Sequence, residues 1–217
     1  MLRFLVLLLL PVAALAFPPP KRPVASIVSP VWADETSRDK AGEASQVIAI
    51  TGIKPGQTVA DIGAGTGYYT MRLSPLVGPK GLVIAQDIVP KYLDQLKQRV
   101  AKAKLTNVRF VLGSPSDPKL PPNSVDRALL IHMYHEIAQP YALLYRLRSA
   151  LRADGRVAIV DLDRPTDQHG MPKALLACEV KAVGYDLVTI EDLHPGYIAV
   201  FKPGAKVDPA TVKACRE

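Results

Sequence analysis

The chain has 217 residues, 48% of them hydrophobic and 22% charged, with a formal net charge of +7. That is one domain with extensions, apolar enough for a buried core, and it excludes collagen, coiled-coil and disordered classes. The basic residues are scattered, with no run of Lys and Arg longer than two, so no nucleic-acid partner is expected.

Met1 and Arg3 open the chain with a short positive start, and Phe4 to Phe17 is then apolar apart from a break at Pro11. At about 14 residues this stretch is too short for a stable membrane span. Ala14-Leu15-Ala16 supplies small residues where a signal peptidase cuts, so residues 1–16 are expected to be an export signal cleaved after Ala16. No Cys stands at the junction, which argues against a lipid anchor. The destination is a compartment outside the cytosol, the periplasm; the alternative is an anchor left by an uncleaved signal. Residues 17–33 contain Pro18, Pro19, Pro20, Pro23 and Pro30. Such a stretch favours extended, unpacked chain and is expected to be a linker.

A domain over 34–202 follows, with a tail over 203–217. Ala41 to Ile50 is compatible with a helix, and Gly52, Pro55 and Gly56 punctuate it. Thr58 to Ile62 is a short apolar run, a buried strand. A glycine loop leads into a helix over Tyr68 to Leu76. Gly81 to Ile88 is a second strand, and Lys91 to Ala103 a helix that Pro90 starts. Val108 to Leu112 and Ser124 to Ile131 are the third and fourth strands. Tyr141 to Leu151 has helical spacing, Asp154-Gly155 ends it, and Arg156 to Asp161 is a fifth strand. A helix over Pro172 to Val183 stops at Gly184. Leu187 to Ile190 and Tyr197 to Phe201 close the chain as an antiparallel hairpin. This alternation predicts an α/β fold, a Rossmann-like three-layer sandwich. Its seven-stranded sheet is mostly parallel, with an antiparallel C-terminal edge hairpin. Ligands bind such sheets at the carboxyl ends of the strands.

The first strand ends in Asp61-Ile62-Gly63-Ala64-Gly65-Thr66-Gly67. Alternate glycines let backbone approach a bulky ligand and turn into a helix whose first N–H groups are free. A dinucleotide fingerprint would read Gly-x-Gly-x-x-Gly, whereas the spacing here is Gly-x-Gly-x-Gly. Asp61, ahead of the first glycine, would repel a pyrophosphate and attract an ammonium group. S-adenosylmethionine carries an ammonium and a sulfonium and no phosphate. The second strand ends in Asp87-Ile88, where an acid can accept the hydroxyls of a ribose and Ile88 can lie against adenine.

These residues resemble the first motif and the ribose-binding acid of class I S-adenosylmethionine-dependent methyltransferases, over about Ala41 to Phe201. The resemblance implies methyl transfer, with S-adenosyl-L-methionine as cofactor. It also implies that Asp61, Gly63, Ala64, Gly65 and Gly67 hold the methionine portion, and Asp87 and Ile88 the nucleoside. Many relatives place an adenine-contacting Asp after the third strand. Here Ser114 holds that position, with Asp117 three residues on; a Ser hydroxyl can bond adenine, so Ser114 is assigned to the donor, with Asp117 the alternative.

The fourth strand runs into His132-Met133-Tyr134-His135-Glu136, a segment that in this family borders the acceptor. Three readings compete: a general base or orienting group, a metal site in which His169 would be the third ligand, and a polar lining. His135, Tyr134 and Glu136 are assigned to the acceptor as catalytic residues, and no metal is assigned. Asp161 and Asp163 fall on one face of the fifth strand. Arg164 either pairs with them or meets an anionic acceptor. Trp32, Arg38, Asp39 and Glu43 either cap the acceptor pocket or lie on the surface. Cys178 and Cys215 are a natural disulfide pair in an exported protein. The acceptor is unidentified. The alternative from another class is an exported module that binds a nucleoside without chemistry.

Overall fold

The computed structural model describes residues 17–28 and 35–216. The expected signal over 1–16 and Trp32 lie outside them. Two short helices come first, α1 (Glu35–Lys40) and α2 (Glu43–Thr51). The helix expected over 41–50 is α2, which starts two residues later because Gly42 caps it with a left-handed φ of 67°. Then follow β1 (Thr58–Ile62), α3 (Tyr68–Val77), β2 (Leu82–Asp87), α4 (Pro90–Lys102), β3 (Val108–Leu112) and β4 (Val125–Ile131). The second half is α5 (Pro140–Ala150), β5 (Leu151–Asp161), α6 (Lys173–Ala182), β6 (Tyr185–Asp192) and β7 (Tyr197–Pro203). β5 starts five residues earlier than the sequence suggests, because Leu151 already pairs with Val125 and the strand runs through Asp154-Gly155.

The seven strands form one sheet in the order β3-β2-β1-β4-β5-β7-β6. β1 pairs in parallel with both β2 and β4. The chain therefore winds outward to β3, returns to the centre, and opens a switch point between β1 and β4, where such sheets bind ligands. β7 inserts antiparallel between β5 and β6, so the expected hairpin forms with its second strand on the inside.

Strand alternation divides the core between the two faces. Ala60, Ile62, Leu130 and Ile159 join Leu144, Leu147 and Leu176 of α5 and α6. Val59, Leu129 and Val160 join Val47 and Leu73 of α2 and α3. On α4, Leu93, Leu96 and Val100 bury one stripe at helical spacing, each contributing about 1.5–3 kcal/mol by leaving water. None of the helices among the described residues is long and apolar enough to cross a membrane.

Both ends of the described chain are tied down. Cys178 on α6 and Cys215 in the tail are joined in the expected disulfide, and the Cys215 N–H donates to the Tyr141 hydroxyl. The Pro-rich segment is extended, as its composition predicts, but it is not unpacked. Phe17 stacks on Tyr145 with ring centroids 5.1 Å apart. Arg22 is fully buried against Glu179 at 3.1 Å. A buried guanidinium must find partners, so residues 17–28 form a strap across the domain rather than a linker.

Candidate functional site

The glycine loop joins β1 to α3 at the switch point. Gly63 and Gly67 both adopt positive φ, 68° and 93°. A Cβ at Gly67 would stand 2.1 Å from Leu96 Cδ1, and one at Gly63 would press on Met133 at 3.0 Å. Only glycine satisfies both the turn and the close approach. The loop is held to β2 by backbone: Ala64 N–H donates to the Gln86 carbonyl at 2.9 Å.

Asp87 is the anchor of this half. One carboxylate oxygen accepts Gly65 N–H and the other Val89 N–H, both at 2.8 Å. Each oxygen keeps a lone pair for a ligand hydroxyl. Burial raises the Asp87 carboxyl above its ordinary range, and the backbone donors work against that rise. Around it opens a cavity lined by Gly63, Ala64, Gly65, Gly67, Asp87, Ile88 and Ser114 among others. All of these were assigned to the donor from sequence. Ser114 faces the cavity while its backbone pairs with that of Asp117. The Asp117 carboxylate turns away to accept Lys119 N–H.

Asp61 departs from expectation. It is not among the residues lining the cavity. It is 3% exposed and accepts the Thr70 hydroxyl of α3 at 2.6 Å. Burial pushes its carboxyl up to about 6, against the opposing bond from Thr70. Asp61 lies beneath α3 and does not line the cavity. Ile27, Val28, Gln86, Tyr92 and Met133 line the cavity as well and were not singled out from sequence. Tyr92, one turn into α4 after the ribose acid, carried a signal; Ile27 and Val28, inside a Pro-rich stretch, carried none.

The acceptor side is built by the turn after β4. His132 takes a φ of 53° and turns its Nε2 to Glu43 at 2.9 Å. Glu43 also accepts the Tyr69 hydroxyl and the Arg38 guanidinium. Burial opposes its ionisation, but His132 and Arg38 outweigh burial and hold the carboxyl at about 2. Glu43 and Arg38 thus fasten α1 and α2 onto this turn, and Asp39 meets Tyr68 and Arg72.

Tyr134, His135 and Glu136 form one 3-10 turn, whose successive side chains diverge. Tyr134 is fully buried beneath the Arg22 guanidinium, 5.6 Å from its ring centroid, and lines neither cavity. It is a core residue, not an acceptor residue. His135 is 3% exposed, with Nδ1 at 2.9 and 3.0 Å from the Asp161 carboxylate. An ionised carboxylate only accepts, so Nδ1 is the nitrogen that donates to Asp161 and Nε2 is left to face away from it. Glu136 lines the donor cavity and accepts Val28 N–H at 3.2 Å.

A second, smaller cavity is lined by Val28, His132, His135, Leu162, Arg164 and His169. Val28 and His132 belong to both cavities, so the two adjoin. Neither aspartate pairs with Arg164. Asp161 serves His135, Asp163 lies 3.7 Å from Lys173, and Arg164 donates to the His169 carbonyl.

Residues 59–155 match the family model of a methyltransferase domain. The chain is 31% identical over 152 residues to an arsenite methyltransferase of Halobacterium salinarum, covering 67% of this chain and 37% of that protein. It is 28% identical over 121 residues to a ubiquinone/menaquinone biosynthesis C-methyltransferase of Pseudomonas fluorescens, covering 55% and 47%. The chain therefore spans less than half the length of these curated relatives. A solved SAM-dependent methyltransferase from Aquifex aeolicus shares the fold, with a TM-score of 0.69 at 22% identity over 78% of this chain and 98% of that one.

Proposed function

We propose that this protein transfers a methyl group from S-adenosylmethionine to an acceptor seated in the second cavity, a reading that the match of residues 59–155 to a methyltransferase domain supports. The observation that carries the reading is the charge of the donor cavity. Among the described residues its acidic side chains are Asp87 and Glu136, with Asp61 beneath, and no Lys or Arg lines it. A dinucleotide pyrophosphate would be repelled there, and a cationic donor without phosphate is attracted. The residues fit that donor: Asp87 has acceptor capacity for ribose hydroxyls, Ile88 and Tyr92 offer surfaces for a base, and Gly63 lets backbone approach.

When bound, the donor supplies a methyl carbon activated by positive sulfur. What remains for the chain is alignment and exclusion of water. Val28, His132 and Met133 form the wall past which the methyl group reaches the acceptor. His135, oriented by Asp161 through Nδ1, lines the second cavity and directs Nε2 at the acceptor side. Nothing supports carrying over arsenite as substrate: soft centres call for thiolates, and Cys178 and Cys215, the two cysteines of the chain, are bonded to each other. That disulfide, together with the apolar start of the sequence, supports export to an oxidising compartment.

Calorimetric titration with S-adenosylmethionine, its demethylated product and oxidised and reduced nicotinamide dinucleotides tests the donor. Binding of the first two and not of the others is expected. A preference for the dinucleotides, or no binding of either pair, would overturn the reading. Export favours the second reading, a binding module without chemistry, because the donor is made in the cytosol. Detection of methylated product in an exported extract incubated with labelled donor separates the two.

A further inference from the structure

The wall between the cavities brings together three side chains that can ligate a metal, His135, Glu136 and His169. His135 Nε2 lies 3.9 Å from Glu136 Oε1, a separation that makes no hydrogen bond. His169 comes in from the loop after β5, its ring edge-on to that of His135 with centroids 5.5 Å apart. One ligand atom from each of His135, Glu136 and His169 falls within 4.8 Å of the others. His169 Nδ1 is buried without a hydrogen-bond partner. Two imidazole nitrogens and a carboxylate oxygen this close to one another form a donor set of the kind that holds a transition-metal ion.

We propose that His135, Glu136 and His169 bind a divalent transition-metal ion at the boundary of the donor and acceptor cavities. Two imidazoles and one carboxylate suit zinc, cobalt or iron(II) and leave coordination positions open, as a site that also binds a substrate requires. The second shell is already in place. Asp161 accepts the Nδ1 proton of His135, the arrangement that fixes tautomer and ring orientation in histidine metal sites. Glu136 is steadied by Val28 N–H. A tetrahedral ion with bonds of about 2.1 Å draws its ligands to roughly 3.4 Å from one another. The cluster would therefore close by about an ångström on binding. His132 is not part of the set, because its Nε2 is committed to Glu43. The ion would face the second cavity, where an acceptor hydroxyl or thiol could take an open position beside the donor. This placement of the acceptor rests on the function proposed above; metal binding does not.

The test is titration of tag-free, chelator-treated mature protein with Co²⁺, read by its visible absorption, and with Zn²⁺, read by calorimetry. One equivalent at micromolar affinity or tighter is expected. His135→Ala and His169→Ala should each weaken binding by at least tenfold. Asp161→Asn should weaken it about 10–100-fold, as loss of an outer-shell carboxylate does. His194→Ala, an exposed histidine elsewhere, should change nothing. Titrating the same variants with S-adenosylhomocysteine shows that they are folded and tests the donor reading separately. Binding of no metal, or binding that survives both His135→Ala and His169→Ala, would overturn the site even where the product still binds.

Discussion

Asp61 holds a charge where the fold disfavours one, and replacing it by Asn separates what the charge does for folding from what it does for the donor. The carboxyl is 3% exposed, and burial lifts it from an ordinary 3.8 to about 6; the Thr70 bond and Arg38 lower it, and Asp87 adds to the rise. A folded-state value above the unfolded one means that the group favours folding fully below pH 3.8. That contribution is lost as the pH rises through about 6. At pH 7.5 the ionised Asp61 therefore costs about 3 kcal/mol. Asn keeps the shape and still accepts the Thr70 hydroxyl, without the charge. Asp61→Asn is expected to raise stability at pH 7.5 by up to about 3 kcal/mol, several degrees in melting temperature. The gain should shrink to nothing near pH 4.

Binding should move the other way. A unit charge pair about 8 Å apart at an effective dielectric near 20 is worth about 2 kcal/mol. Asp61→Asn should thus weaken S-adenosylmethionine binding by roughly ten- to thirtyfold at pH 7.5. A cationic donor prefers the ionised carboxylate, so wild-type affinity should rise between pH 5 and 7 more steeply than that of the variant. Thermal unfolding and calorimetry at the two pH values decide both points. A variant less stable than wild type at pH 7.5 would show that burial does not oppose the charge. Equal donor affinity would show that the charge does not serve the donor.

Arg22→Ala leaves Glu179 buried without its partner and should destabilise by about 3–5 kcal/mol. Denaturant unfolding measures the loss, and replacing both residues by apolar ones should recover part of it. Reduction of Cys178–Cys215, which spans 37 residues, should cost on the order of 4 kcal/mol; unfolding curves with and without reductant show it. His135→Ala should lower methyl transfer about a hundredfold or more and leave affinity for S-adenosylhomocysteine unchanged, which a transfer assay and a titration on the same protein check together.

That Gly63, Gly65, Gly67, Asp87 and Ile88 come together around one cavity was legible because their signals are local. Alternate glycines, a strand-ending acid and Ile88 lie within a few residues of the backbone turns that place them. Asp61 was misread as a contact because its charge was weighed without its face. β1 sends Ala60 and Ile62 to one side of the sheet and Asp61 to the other, beneath α3. Tyr134 was grouped with His135 by adjacency in sequence, yet a turn with about three residues per rotation sends neighbours apart. Arg22 could not be read at all. A proline-rich composition predicts extended backbone, but the partner that makes this arginine structural, Glu179, is 157 residues away.

The same distant contacts explain how two adjoining cavities stay in register. The turn from 134 to 136 sends His135 to one cavity and Glu136 to the other, so a small rotation of its backbone would misalign both. It is held from three directions. The Arg22 guanidinium donates to the carbonyl oxygens of Tyr134 and His135, and Ala25 N–H donates to His135 as well. Asp161 on β5 fixes the imidazole. Val28 N–H fixes the Glu136 carboxylate. Displacement at carbon requires nucleophile, methyl and sulfur in line, and an error of about 1 Å costs orders of magnitude in rate. A strap that donates to the peptide carbonyls of the turn controls that line from behind, while its Ile27 and Val28 line the cavity itself. Loss of Arg22 should then harm transfer more than donor binding, because the glycine loop and Asp87 are held to each other and not by Arg22.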